Sequence, residues 1–325
     1  MKFSIALITT PKRIRFFDYC VKTLLKQSVL PDEVIIIING LNNKLTLNYC
    51  KEFLKNNLEK ISKLRVITVA PSTTVGFCRN LAVKISSGDY IIFIDDDVVL
   101  DEKWLENIQK CLIYNPDIIS GRVEPLCDFE TLTLLNKHPY FGEFISVKNY
   151  LFMKFRKRLG SSLYVVKGIR GLWTNNLVIK KEFINKIGNF KKILGYLEYD
   201  DIGGEDTELK HRAEKYNPLI IYNHSAIVYH RVSKKRLSIN YCFKRAWKHG
   251  MLYSIILPLN SVIKGFVYNL ISIPWYIITN RMESFLALTR ALTLFSSIIN
   301  FNKRINFLNR RLQSIKNVRT RIVEI

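Results

Sequence analysis

Two rhythms of apolar and polar positions alternate through the first hundred residues. Unbroken apolar runs at Phe3–Ile8, Glu33–Ile38, Arg65–Ala70 and Asp89–Asp97 each end in polar or turn residues. Runs of that length, rich in Ile, Val and Phe, read as strands covered on both faces. Between them lie stretches of helical period. Arg15–Gln27 carries Phe16, Cys20, Val21, Leu24 and Leu25 on one side, and Lys44–Leu58 and Val75–Ser86 follow. Strand–helix repetition with short links predicts a mostly parallel central sheet, flanked by helices and built by right-handed crossovers. Asp101 is placed to cap a further helix carrying Trp104, Leu105, Ile108 and Leu112.

The rhythm loosens after Ile118. Asp117–Val123 reads as a strand and Lys181–Ile187 as a helix closed by Gly188. The stretch Cys127–Leu163 is aromatic and basic, and its pattern assigns no element. Later, Met251–Thr279 is almost wholly apolar, broken by Lys264, Pro258 and Pro274. Each half is shorter than the ~20 residues of a spanning helix, so helices lying in or dipping into one leaflet are expected, the alternative being a single crossing by the whole stretch with Lys264 as a costly interruption. Phe301, Ile305, Leu308, Leu312 and Ile315 recur at helical spacing among Lys303, Arg304, Arg310, Arg311 and Lys316. That pattern suits a basic amphipathic helix on an anionic membrane surface. The expected division is a catalytic domain over 1–235 and a membrane-associating helical extension over 236–325. A soluble helical subdomain packed on the core is the alternative.

Charge bears on that choice. The chain has 50 Lys and Arg against 27 Asp and Glu, a net charge of +23 over 325 residues. An excess this basic implies an anionic partner. The long apolar run and the lack of a nucleic-acid motif favour a membrane surface over nucleic acid. Six scattered cysteines with no paired spacing suit a reducing compartment. The first residues are too short an apolar run for a signal peptide. The expected location is therefore the cytoplasmic face of a membrane, peripheral or monotopic.

Acids are scarce here, and they cluster. Asp95-Asp96-Asp97 ends the fourth apolar run, and three adjacent carboxylates repel one another unless a cation lies among them. A hard divalent ion, Mn²⁺ or Mg²⁺, takes carboxylate oxygens together with those of a phosphate-bearing substrate. The carboxyl ends of strands in open α/β sheets are also where ligands bind. The second cluster, Glu198–Leu209, contains Gly203-Gly204 followed by Glu205 and Asp206 at a helix start. Acids in a first turn complement the helix dipole, but that does not explain the Gly-Gly approach before them. A carboxylate there can act as a general base on an acceptor hydroxyl.

Taken in order, these pieces carry a resemblance. Asp32–Gly40, Gly76-Phe77-Cys78-Arg79-Asn80, Phe93–Asp97, Thr174-Asn175-Asn176, Ile187–Phe190, Gly204–Leu209 with Arg212, and Ile220–His230 stand in the order of family 2 glycosyltransferases. These are inverting, nucleotide-sugar-dependent enzymes of the GT-A fold, and the chain resembles them from about Phe3 to Gly250. The resemblance implies Asp206 as catalytic base and Glu205, Gly204, Trp173 and Asn176 at the acceptor. It implies Thr9, Arg13, Asn39, Arg79, Asp95 and Asp96 at the donor, and Asp97 and His230 at a divalent metal. Two departures fall where the nucleotide base is read. Ile38 stands where family members carry an acid, and the loop Thr9–Arg13 lacks a Tyr-Asn pair.

The implied activity is transfer of a sugar from a nucleotide-diphosphate donor to a hydroxyl of a glycan or lipid-linked acceptor, in the building of cell-surface polysaccharide or glycolipid. A metal-dependent nucleotidyltransferase would also use paired acids beside a parallel sheet. A catalytically inactive membrane-bound scaffold is the non-enzymatic alternative.

Overall fold

The computed structural model describes residues 1–40, 62–70, 73–195, 203–256, 258–279 and 281–300, with positions 48, 303, 306, 308, 309 and 320–324 besides. Apart from those isolated positions, the expected helices at 44–58 and 301–316 and the acids at 198–202 lie outside the described residues.

The first half follows the apolar runs. In order come β1 (Phe3–Thr9), α1 (Ile14–Leu24), β2 (Glu33–Asn39), β3 (Leu64–Val69), α2 (Val75–Ile85) and β4 (Tyr90–Asp95). The parallel block β3-β2-β1-β4 is the centre of the sheet. Side chains of a strand alternate between faces, and here both faces are covered. Ile5, Leu7 and Ile36 pack with α1 on one side, while Ala6, Ile35 and Ile37 pack with α2 residues Cys78 and Ala82 on the other. Fully burying each such side chain contributes about 1.5–3 kcal/mol.

One helical face differs from expectation. Phe17, not Phe16, joins Cys20, Val21 and Leu24 in the core, and Phe16 is 40% exposed. Phe17 precedes those three by three, four and seven residues, which is the spacing of a single helical face. The Phe16 ring instead lies under the guanidinium groups of Arg13 and Arg231, each 5.5 Å from its centroid.

Beyond β4 come β5 (Val98–Leu100), α3 (Trp104–Gln109), β6 (Ile118–Leu126), α4 (Phe129–Lys137) and α5 (Phe141–Ile145). Then β7 (Lys154–Arg158), β8 (Leu163–Lys167), β9 (Leu177–Lys180), α6 (Lys181–Lys186), α7 (Glu205–Glu214) and β10 (Ile220–Arg231) complete the α/β region. Parallel pairing recurs between β6 and β10, whereas β9 is antiparallel to both β4 and β6. The sheet is therefore mixed, and its parallel character is concentrated where the strand–helix rhythm was regular. The β7–β8 hairpin lies mostly within the stretch whose pattern assigned no element. Asp101, the expected cap, sits two residues ahead of the observed N-cap of α3, Lys103, whose backbone N–H donates to the Asp101 carboxylate at 3.1 Å.

Three helices follow: α8 (Ile239–Ile256), α9 (Leu259–Thr279) and α10 (Arg281–Asn300). No helix among the described residues is long and apolar enough to cross a membrane. The start of α8 is docked on the α/β region, since Cys242 shares an apolar cluster with Val123, Leu135, Phe141, Ile145 and Val147. The last strand, β11 (Thr320–Glu324), pairs antiparallel with β3 at the far edge of the sheet.

Candidate functional site

The carboxyl ends of β1, β2 and β4 open into a cavity of about 1790 Å³. The three aspartates after β4 divide their work there. Asp96 turns inward, accepts from Thr9 Oγ1 at 2.8 Å and from Arg13 Nε at 2.8 Å, and is 4% exposed. Its oxygens are thus engaged in holding the Thr9–Arg13 loop in place. Asp95, half-exposed, faces the cavity and meets Arg79 at 3.3 Å. Asp97 meets Arg13 Nη2 at 2.7 Å and His230 Nε2 at 3.4 Å.

His230 arrives by register. The short β5 pairs antiparallel with β10 so that His230 lies opposite Val98, next to Asp97. Asp95, Asp97 and His230 can each offer one ligand atom, all within 4.8 Å of one another. Buried His230 Nδ1 has no hydrogen-bond partner. Two carboxylate oxygens and an imidazole form a donor set that suits a divalent cation, so the residues present fit such an ion. Electrostatics separate the two carboxyls. Poor hydration, opposed by Arg79 and reinforced by Asp97, pushes Asp95 above the usual carboxylate range. Burial would raise Asp97 too, but His230 and Arg13 hold it below that range.

The second acidic cluster meets the first through one side chain. Arg79, 5% exposed on α2, donates through Nη1 to Glu205 and through Nη2 to Asp95 at 3.3 Å and to Thr174 Oγ1 at 2.9 Å. A single guanidinium therefore ties the end of β4 to the start of α7. Gly204 precedes that start at φ +98°, a left-handed conformation that glycine adopts without strain. A Cβ there would also lie 1.9 Å from Leu252 of α8. Glu205 is buried against Arg79, and its second oxygen, Oε2, has no hydrogen-bond partner. Asp206 faces the cavity and pairs with Lys210 one turn on, at 3.3 Å. Burial opposes ionisation of Asp206, but Lys210 and Arg79 prevail and hold its carboxyl below the usual range.

The remaining expected residues divide. Thr9, Arg13, Asn39, Trp173 and Gly204 all line the cavity with the acids and His230. Asn39 Nδ2 also donates to Thr73 O at 2.6 Å, fastening the end of β2 to the loop before α2. Asn176 is not on the cavity wall. Fully buried, it accepts from Trp104 Nε1 at 3.0 Å and donates to Arg122 O and Ala226 O, both at 3.1 Å. The amide nitrogen thus fastens β6 to β10 and the oxygen anchors α3, while the neighbouring Asn175 lines the cavity instead. Ile38 is buried in the core, so its side chain offers nothing to a ligand.

Sequence reading missed Lys210, Thr174 and a whole wall contributed by α8–α10. Tyr241, Arg245, His249 and Tyr253 recur every four residues along α8 and line the cavity, joined by Asn269 of α9 and Arg290 of α10. The four-residue spacing was present in the chain, but it lay in a region whose charge and apolar content pointed to a membrane.

The family model for glycosyl transferase family 2 matches residues 6–172. The glucosyl-dolichyl phosphate glucuronosyltransferase of Haloferax volcanii is 20% identical over 254 residues, covering 77% of this chain and 75% of the relative. Among solved structures, S. aureus TarS 1–349 in complex with UDP-GlcNAc superposes with TM-score 0.51 at 16% identity, over 97% of this chain and 82% of that one. GalNAc-T7 with UDP, GalNAc and Mn²⁺ gives TM-score 0.53 at 10% identity, over 76% of this chain. The match spans 47%, about half, of the GalNAc-T7 chain. At these identities the structural likenesses speak for the GT-A fold. With more than half its length matching the family, this chain belongs to glycosyl transferase family 2 and is a glycosyltransferase.

Proposed function

We propose that this glycosyltransferase moves a sugar, with inversion, from a nucleotide-diphosphate donor to a hydroxyl of a glycan or lipid-linked acceptor. The observation that carries this reading is Arg79, whose guanidinium holds Asp95 and Glu205 together. The cation-binding acids and the Asp206 turn consequently open onto one cavity. The complexes of TarS with UDP-GlcNAc and of GalNAc-T7 with UDP and Mn²⁺ support a nucleotide-sugar donor and a divalent ion. The name of the Haloferax relative supports a lipid-linked acceptor.

Asp95, Asp97 and His230 would hold the divalent cation, Mn²⁺ or Mg²⁺, which as a Lewis acid would offset charge on the leaving diphosphate. Arg13 and Arg79 place fixed positive charge at the same end without reorganising during reaction. At the other end Asp206, kept ionised by Lys210, takes the proton of the acceptor hydroxyl. The acceptor oxygen then bonds to the anomeric carbon as the bond to the diphosphate breaks, and the configuration inverts. General-base assistance of this sort is worth ~10²–10⁴ in rate.

Asp206→Asn is therefore expected to lower turnover by ~10²–10⁴ while nucleoside diphosphate still binds in a calorimetric titration. Near-native turnover would overturn the assignment. Release of free nucleoside diphosphate, not pyrophosphate, separates glycosyl transfer from nucleotidyl transfer.

Placement on an anionic membrane surface belongs to the same reading. Ile263, Val267, Leu270 and Ile271 form an exposed apolar face on α9, next to Lys264, which is also exposed. Apolar burial combined with cationic attraction is how such helices bind in the plane of an interface. Co-sedimentation with anionic but not zwitterionic vesicles is the expected result.

A further inference from the structure

Among the described residues of the cavity wall, Asn39, Asn175 and Glu205 each keep a buried side-chain oxygen without a hydrogen-bond partner. Asn175 belongs to neither acidic cluster and is 1% exposed. Its Nδ2 donates at 2.9 Å to the carbonyl of Ser146, the left-handed residue that ends α5. A carbonyl only accepts, so the amide nitrogen must face Ser146 and Oδ1 is the atom left over. A buried acceptor with nothing to accept from is costly, and a native fold that keeps one calls for a reason.

The chain around Asn175 supplies that reason. Thr174–Asn176 form a single 3-10 turn fastened on both sides of Asn175. Before it, Thr174 Oγ1 accepts from Arg79 Nη2, the guanidinium that also reaches Asp95 and Glu205. After it, Asn176 is bonded to Trp104 Nε1, Arg122 O and Ala226 O. Three residues earlier, Leu172 O accepts from Lys210 Nζ, and Lys210 pairs with Asp206. The segment Leu172–Thr174 is thus tied to the Asp206 pair at one end and to the guanidinium of Arg79 at the other. A sugar in transfer lies between the leaving diphosphate and the base, and so lies beside this segment. Backbone fastened in this way holds a binding group ready in place.

We propose that Asn175 Oδ1 accepts a hydrogen bond from the sugar being transferred, and thereby selects a sugar that presents a hydroxyl or an amide N–H at that point. A carboxylate presented there would offer only lone pairs, which an acceptor oxygen cannot use. A site built around such a hydrogen bond rejects analogues that lack the donor, because its own polar atom is then left unpaired. The inference rests on the reading above, in which the cation-binding acids and Asp206 mark the two ends of the reaction. It adds the group that reads the sugar between them.

The test is calorimetric binding by the full chain, with Mn²⁺, of UDP-glucose, UDP-galactose, UDP-N-acetylglucosamine and GDP-mannose, and of UDP and GDP alone. For the sugar nucleotide that binds best, Asn175→Ala and Asn175→Leu should each weaken binding about three- to ten-fold relative to the matching nucleoside diphosphate, the size of one neutral hydrogen bond. Asn175→Asp keeps an acceptor oxygen but gives up the bond to Ser146, and its ratio should stay near the native value. A residue that only supports the fold would act through Ser146 and weaken both ligands alike. An unchanged ratio in the alanine and leucine variants, or an equal fall in the aspartate variant, would therefore overturn the contact. Melting curves establish that each variant folds, and since alanine and leucine differ in volume, failure of one leaves the other as the test. Binding of no sugar nucleotide at all would overturn the donor reading and this inference with it. Asp206→Asn is run alongside: if it keeps full turnover while the Asn175 ratio falls, the base assignment fails and the sugar contact stands.

Discussion

The two ends of the cavity are built by opposite means. At the β4 end, Thr9, Arg13, Asn39 and the three aspartates sit at or just beyond the ends of adjacent parallel strands, and short-range geometry brings them together. At the Asp206 end, the wall is assembled from a helix start, a loop and three helices distant in the chain. The first end depends on strand register, which a buried parallel sheet specifies strongly. The second depends on how helices dock, and a few side chains such as Leu252 against Gly204 govern that docking. On the proposed reading, the donor and its cation belong at the first end and the acceptor at the second.

The contrast predicts graded effects, beyond the loss of turnover expected for Asp206→Asn. Arg79→Ala breaks the link between the two ends and leaves Glu205 buried without its cation. Removing one partner of a buried ion pair costs about 3–5 kcal/mol, so a denaturant titration should show that loss together with near-complete loss of transfer. An unchanged midpoint would mean that the two ends are held by other contacts.

Asn176→Ala should act on stability alone. It strands Trp104 Nε1 and the carbonyls of Arg122 and Ala226, at about 1–3 kcal/mol for each group left unpaired. The expected signature is a lowered midpoint with an unaltered acceptor KM. A raised acceptor KM in a fully folded sample would restore Asn176 to the acceptor site.

Gly204→Ala is the sharpest probe of the helix-built end. Left-handed backbone costs a residue with a Cβ about 1–2 kcal/mol, and the added methyl must displace Leu252. Acceptor KM should rise while nucleotide binding stays near its native value. Equal damage to both would show that the ends are not separable.

The smallest effect concerns pH. As the proposed base, Asp206 would act when ionised, and Lys210 holds its pKa below the usual range. The acidic limb it imposes on turnover therefore lies below that range, and this group adds no slope between pH 6 and 8. The same depression contributes stability above the unfolded carboxylate's pKa of about 4, which is lost as pH falls through the lower folded value. A limb near pH 6 would point to a different base.

Much of this molecule was legible before any coordinates. The apolar runs that became β1, β2, β3 and β4 are buried on both faces, so their pattern needs no partner to be read. The cavity-facing acids were visible because carboxylates are rare in a chain of net charge +23. Asn176 misled because a polar residue beside a motif looks alike whether it meets a ligand or fastens a strand. Phe16 and Phe17 differ by one helical step, which periodicity alone did not resolve.

Local order of residues determined the parallel half of the sheet, the turn of three aspartates and the helix start at Glu205, since each follows from neighbours in the chain. Tertiary structure alone decided that Arg79 would join two acids 110 residues apart, that His230 would come to Asp97, and that α8 would line the cavity. The physical reason is that hydrophobic periodicity encodes which face of an element is buried, whereas the identity of what it is buried against emerges only when distant elements pack.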